Sequence, residues 1–220
     1  MITLALDAST YRGTVAVFDD ERLLVERAAA MRGRDSELLM PAVDQALRDV
    51  GAKLSAVQRV VCGAGPGSFT SLRIAASIAK GIAVGRGLSL YAVSSLALMV
   101  AGNVSDGPRG ARRYLAALDA LRGESYVAEF EHDSGSVRQI GPMRLIATGE
   151  VMAAADAAGA RPVGPELADH WLPHARGVAL LEEAIVNQGP VSLAGWEPIY
   201  GRVAEAQVKW EAAHGRALPR

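Results

Sequence analysis

Apolar residues run almost unbroken through Ile2-Thr3-Leu4-Ala5-Leu6 and stop at Asp7, as in a strand buried on both faces. Two shorter segments, Thr14 to Phe18 and Leu23 to Arg27, follow, and the polar Asp19-Asp20-Glu21 between them predicts a hairpin turn. The period then becomes helical. Leu38, Leu39, Ala42, Val43, Ala46, Leu47 and Val50 recur on one face, with Asp35 or Ser36 as cap and Gly51 as stop. Val57 to Cys62 predicts a strand, Gly63 to Gly67 a glycine-rich turn, Phe69 to Val84 a long helix and Leu88 to Val93 another strand. Ser94 or Ser95 caps a further helix ending near Gly102. Three strands followed by helix, strand, helix, strand and helix is the order of an RNase H-like unit, a mixed sheet with helices on its faces.

From Asn103 to Arg113 the chain holds Gly, Pro, Ser, Asp and Arg without apolar periodicity, which marks a linker and divides residues 1–104 from 105–220. Beyond it, Tyr114 to Leu118, Tyr126 to Glu131 and Val137 to Met143 predict strands again, and Gly149 to Ala158 a helix. The second half therefore begins to repeat the first. Its end departs from the pattern, because Arg161 to Val191 is broken by Pro and Gly and has room only for small elements. The expectation is a degenerate second unit with a C-terminal extension.

Composition narrows the function classes. With 220 residues, half of them hydrophobic, the chain can bury a substantial core. Its 23 basic and 24 acidic side chains leave a net charge of −1, so no global field draws it to phosphate backbones, and any contact with nucleic acid must be local or made by a partner. Cys62 is the single cysteine, within an apolar run, which suits a reducing compartment and a structural thiol. The first residues read as a strand rather than a leader, and the apolar stretch from Ile74 to Val84 is interrupted by Ser77, Lys80 and Gly81. A cytoplasmic chain with no membrane span is expected.

Asp7 ends the first predicted strand and is followed by Ser9, Thr10 and Gly13. Such a turn either holds a phosphate, with the aspartate addressing a metal, or is simply tied down by the aspartate. Tyr11 and Arg12 crowd it. Gly65, Gly67 and Ser68 form a strand-to-helix turn that can bind an anion or serve as a tight connector; it lacks the Gly-Lys-Ser/Thr of a Walker loop. On the next helix Ser71, Ala75, Ala79 and Ala83 make a small-residue stripe beside Ile74, Ile78 and Ile82. That stripe allows close approach of a partner helix, with Arg73 at its rim, or of an element of the same chain. His170 and His174 have the spacing of metal ligands, but Pro173 lies between them and no third ligand is signalled, so neither a metal site nor a catalytic residue is predicted.

Taken together, Leu6-Asp7-Ala8-Ser9-Thr10, the segment Asp35 to Pro41, Gly65-Pro66-Gly67-Ser68-Phe69-Thr70, Leu72-Arg73-Ile74 and Val93-Ser94-Ser95-Leu96 resemble the TsaB (YeaZ) family. The likeness returns at Asp119 to Tyr126 and at Pro198 to Arg202. The resemblance implies an actin-like fold of duplicated RNase H-like units, with mixed sheets flanked by helices and a degenerate second half. It also implies a non-catalytic subunit of the machinery that places threonylcarbamoyl on adenosine 37 of tRNA. A TsaD-like catalytic paralogue and a TsaE-like ATPase are the implied partners, tRNA is reached through the complex, and a homodimer is an alternative. ATP and metal are expected on those partners rather than on this chain. Where the catalytic paralogue carries paired histidines, this sequence has Ala97-Leu98-Met99-Val100-Ala101. Asp35 stands where the family commonly has histidine, and Ser71 and Ala75 where it commonly has glycines. The rival function is an active actin-like kinase or ATPase. It would need a second phosphate loop where Leu121 and Arg122 stand.

Overall fold

The computed structural model describes residues 1–32, 37–104, 112–133, 135–200 and 215. Strands β1 (Ile2–Asp7), β2 (Arg12–Asp19) and β3 (Arg22–Ala30) form an antiparallel meander, and β4 (Arg59–Gly63) and β5 (Leu90–Val93) add in parallel on the other side of β1. The order β3-β2-β1-β4-β5 is that of an RNase H-like sheet. Helix α1 (Leu39–Asp49) joins β3 to β4, α2 (Phe69–Arg86) joins β4 to β5, and α3 (Ser95–Asn103) leaves β5. Gly87 closes α2 in the left-handed conformation, accepting the stop that the apolar pattern leaves open. Ser94 caps α3 by accepting the Ala97 amide. The predicted caps of α1, Asp35 and Ser36, lie outside the described residues; the carboxylate of Glu37 accepts the amides of Leu39 and Met40.

A second sheet repeats the scheme. β6 (Arg112–Asp119) pairs antiparallel with β7 (Glu124–Asp133) and parallel with β10 (Arg161–Val163), and α4 (Val151–Ala158) supplies the crossover. The strand predicted from Val137 to Met143 is two strands, β8 (Ser136–Gln139) and β9 (Arg144–Ala147), both paired with β7. Pro142, which has no amide to donate, lies in the gap between them. After β10 come a 3-10 helix over Ala175–Leu180 and the short α5 (Glu182–Gln188), and among the described residues no further strand joins this sheet.

Alternation along the strands sorts side chains into layers. Leu4, Leu6, Val15, Val17, Val60 and Cys62 face α1 and α2, while Ala5, Ala16, Phe18 and Val61 face the other way. There they meet α3, whose residues Ser95 to Gly102 are all buried, and the inner face of the second sheet through Tyr114, Ala116 and Phe130. Leu115, Ala117 and Val127 point outward beneath α4. Both sheets thus share one central core built around α3.

The last described stretch returns to the first half. The Val191 amide donates to the Leu90 carbonyl (2.8 Å), Trp196 lies beside Lys80, and the Ile199 amide donates to the Ala64 carbonyl (2.7 Å). Arg59, buried within β4, donates to both oxygens of Glu182 at 2.5 and 2.9 Å and to the Thr3 hydroxyl, fastening α5 to the first sheet.

Candidate functional site

Because β1 and β4 run parallel with Leu6 opposite Cys62, their C-terminal ends arrive side by side, where ligands of α/β folds are usually held. Asp7 ends β1 there with no exposed surface. One carboxylate oxygen accepts the Ser9 amide (2.9 Å) and hydroxyl (2.7 Å), and the other accepts the Ser95 hydroxyl (2.5 Å). Ser95 Oγ in turn accepts the Gly65 amide (3.0 Å), and the Ser9 carbonyl accepts the Ser68 amide (2.7 Å). A Cβ at Gly63 would collide with the Asp7 carboxylate, so only glycine lets the two strand ends close up. Burial pushes the Asp7 carboxyl above its ordinary range, against the hydrogen bonds from Ser95 and Ser9. Burial, with the nearby Asp7 charge, also pushes the Cys62 thiol far up, which makes it inert.

Asp7, Ser9, Gly65, Gly67 and Ser68 are therefore brought together, but they spend their polar groups on one another, while Thr10 turns its hydroxyl to the Arg12 carbonyl (3.1 Å). The residues do not fit the phosphates and metal that an actin-like fold would place here. Both oxygens of Asp7 are engaged and sealed in, and the Ile199 carbonyl lies against Gly65, where a Cβ would stand 2.5 Å from it. In the second half the corresponding turn puts Leu121 and Arg122 at φ of +63° and +58°. Side chains thus stand where a glycine loop would admit a phosphate. Asp119 holds the turn by accepting the Leu121 amide (2.8 Å).

Beyond these strand ends a cleft of about 520 Å³ separates the halves, walled by Tyr11, Ser68, Phe69 and Thr70 on one side and Leu121, Tyr126 and Glu166 on the other. Tyr11 reaches across it to His170 Nε2 at 3.1 Å, and Phe69 packs on Tyr200 with centroids 4.7 Å apart. Tyr126 is 5% exposed, and its hydroxyl has no hydrogen-bond partner among the described residues. Burial raises its pKa above the ordinary phenol range. The sequence gives no sign of this orphan, since a tyrosine in an alternating strand reads as ordinary core.

His170 and His174 diverge. His174 is buried and its Nδ1 lies 3.0 Å from Glu26, which also accepts the Arg176 amide (3.0 Å), so this cluster ties the crossing segment to β3. Among the described residues no group of His, Cys, Asp and Glu has the arrangement of a metal site.

The small-residue stripe of α2 requires a correction. Ser71, Ala75, Ala79 and Ile82 are buried, and the latter three belong to the core under the first sheet, so the chain's own elements have the close approach that the stripe permits. The face open to a partner lies about half a turn away. Arg73, Ser77, Gly81 and Val84 are exposed there, with Ile74 and Ile78 half-buried beside them, and a shallow groove over Phe69, Arg73, Ile74 and Ile78 reaches back to Glu37. Arg73 stacks on the Phe69 ring at 4.9 Å.

Comparison with known proteins agrees with this architecture. Residues 31–177 match the family model described as TsaD, tRNA N6-adenosine threonylcarbamoyltransferase. The Escherichia coli tRNA threonylcarbamoyladenosine biosynthesis protein TsaB is 35% identical over 137 residues, 62% of this chain and 58% of that one. The Bacillus subtilis protein of the same name is 30% identical over 143 residues, 64% of this chain and 60% of that one. The chain thus matches about three-fifths of the length of these curated relatives. The solved structure of YeaZ from Pseudomonas aeruginosa superposes with a TM-score of 0.74 at 27% identity, covering 90% of this chain and 100% of that one.

Proposed function

The chain belongs to the TsaB (YeaZ) family, and from that membership we propose that it is a non-catalytic subunit of the assembly that transfers threonylcarbamoyl to adenosine 37 of tRNA. Its task is to hold a TsaD-like catalytic paralogue in an active arrangement, with a TsaE-like ATPase joining the complex and tRNA reached through it. The observation that carries the non-catalytic part is the state of Asp7. Its carboxylate has no free oxygen for a metal, and the turn beside it is closed by Ser9 and Ile199. A kinase or ATPase of the same fold needs those groups facing the cleft.

The partner face in this reading is the outer side of α2, where Ile74 and Ile78 offer an apolar ridge between exposed polar positions. ATP and metal belong to the partner subunits. The test is capture of the tagged full chain from its own cytosol, with mass spectrometry of what co-elutes, beside an ATPase assay on the pure chain. Co-elution of the TsaD-like paralogue without intrinsic turnover supports the proposal. Turnover that persists through purification and vanishes in Asp7→Ala overturns it.

A further inference from the structure

Most arginines on the described surface have carboxylate partners: Arg27 with Asp49, Arg48 with Asp44, Arg138 with Glu131, Arg144 with Glu129 and Arg161 with Asp169. Arg12, Arg32, Arg73, Arg86 and Arg122 are exposed and have no carboxylate partner among the described residues; Arg86, in the last turn of α2, donates to the Ser55 carbonyl instead (2.7 Å). Arg12, Arg32 and Arg122 lie at, or next in sequence to, residues that line one opening. Arg32 lines the cleft between the halves, Arg12 and Arg122 each follow a cleft residue, Tyr11 and Leu121, and Arg73 lines the groove that shares Phe69 and Thr70 with the cleft. The acids nearby are partly engaged, because Asp119 holds the Leu121 amide and Glu37 the first amides of α1, which leaves Glu166.

Unpaired cations around a mouth, with aromatic rings behind them, suit a chain of phosphates whose bases can unstack. Arginines neutralise the backbone and a base stacks on Tyr or Phe, whereas a duplex keeps its bases stacked away from such rings. Tyr11, Phe69 and Tyr200 supply the rings, and the buried, unpartnered Tyr126 hydroxyl is a hydrogen-bonding group in the cleft wall. Leu121 and Arg122 hold φ values that cost non-glycine residues energy, and Leu121 lines the cleft. We infer that this opening binds a single-stranded segment of RNA, its phosphates against Arg32 and the flanking Arg12 and Arg122, and a base among the rings. The choice of RNA over another polyanion rests on the proposed place of the chain in a tRNA-modifying assembly. With a net charge of −1 over the whole chain, the site acts locally and its affinity alone is modest.

The test is fluorescence anisotropy of a labelled single-stranded RNA heptamer, a duplex of equal length and a polyglutamate peptide, each titrated with the full chain at several salt concentrations. Single-stranded RNA should bind more tightly than the other two probes. Arg32→Glu with Arg122→Glu should weaken it roughly tenfold, and each lost phosphate contact should reduce the salt slope by about 0.7. Arg138→Glu, away from the opening, should bind as wild type does, and thermal unfolding checks that every variant folds. Duplex bound as well as single strand, unaltered binding by the double variant, or preference for polyglutamate overturns the inference, the last outcome assigning the arginines to an acidic protein. Titration of the TsaD-like paralogue into the same variants separates this failure from failure of the subunit reading, since Arg32 and Arg122 lie off the outer face of α2.

Discussion

In the first half of the chain, β4 is followed by a long helix, a further parallel strand and α3, so the sheet has five strands and a helix layer on each face. In the second half, the equivalent strand β10 has three residues and, among the described residues, no strand follows it in the sheet. The residues that would have completed the second unit instead cross to the first. Their amides bond to Leu90 and Ala64, Glu182 pairs with Arg59, and the Ile199 carbonyl covers the glycine turn. A duplicated fold can thus lose half of one copy when the leftover chain finds unsatisfied edges and faces on the other. The same rearrangement fills the place where a phosphate would have entered.

The comparison breaks most severely if the crossing contacts are removed. Glu182→Ala strands the Arg59 guanidinium, 8% exposed, without its carboxylate. The loss should be about 3 kcal/mol, since one member of a buried pair is left uncompensated. Urea unfolding followed by tryptophan fluorescence and by circular dichroism measures it. A single transition moved to lower urea is expected; a variant as stable as wild type would show that the halves stand independently.

Glu26→Ala should cost about 2 kcal/mol by removing charge-assisted hydrogen bonds to His174 and the Arg176 amide. Burial raises the Glu26 pKa, but the hydrogen bonds and charges of His174 and Arg176 outweigh it, and the net shift is downward. A depressed carboxyl stabilises the fold above its unfolded value and loses that contribution as pH falls through the folded one. Wild type and Glu26→Ala should therefore converge in melting temperature on acidification below the ordinary glutamate range. Parallel curves would assign Glu26 no electrostatic part.

The order of elements was legible in the first half because each carries its own period, from the unbroken β1 to the helical repeat of α1 with Gly51 as its stop. In the second half β8 and β9 merge into one apolar stretch, as hydrophobic pattern does not reveal that Pro142 lies in a break in the pairing. The returning segment has no period at all; Pro190, Gly195 and Pro198 mark it only as loop. The convergence of Asp7, Ser9, Gly65 and Ser68 followed from two strand ends lying together, but whether an aspartate there faces a cleft or two serines depends on Ser95, thirty residues beyond the turn. The stripe on α2 was ambiguous for a physical reason, since small residues admit a sheet as readily as a foreign helix.

That ambiguity leads to a smaller effect within one helix. Ala79 is fully buried, and Ala79→Leu should lower stability by about 1–3 kcal/mol through overpacking. Ile78→Ser, one residue away on the half-exposed flank, should leave unfolding within about 1 kcal/mol of wild type while weakening capture of the paralogue. Calorimetric titration paired with thermal melts separates the two. If Ala79→Leu folds normally and fails to bind, the inward reading of the stripe is wrong.

The smallest expected change carries the sharpest sign. Burial raises the Asp7 carboxyl, so the folded state holds its proton more tightly than the unfolded chain does. At pH below the unfolded value both states are protonated and the group is neutral to stability. As pH rises through that value toward the folded one, the unfolded chain ionises first and the fold loses stability. Asp7→Asn keeps an oxygen for Ser9 and presents an amide that can donate to Ser95 Oγ, and it has no charge to desolvate. It should match wild type at acid pH and equal or exceed it by up to about 1 kcal/mol at neutral pH. Asp7→Ala instead strands Ser9 and Ser95 and should cost about 1–3 kcal/mol throughout. Melting curves of the three proteins from pH 3 to 8 decide it. If asparagine is as damaging as alanine and more so at neutral pH, the charge itself is needed there, and Asp7 belongs to a working site rather than to the closure of the first half.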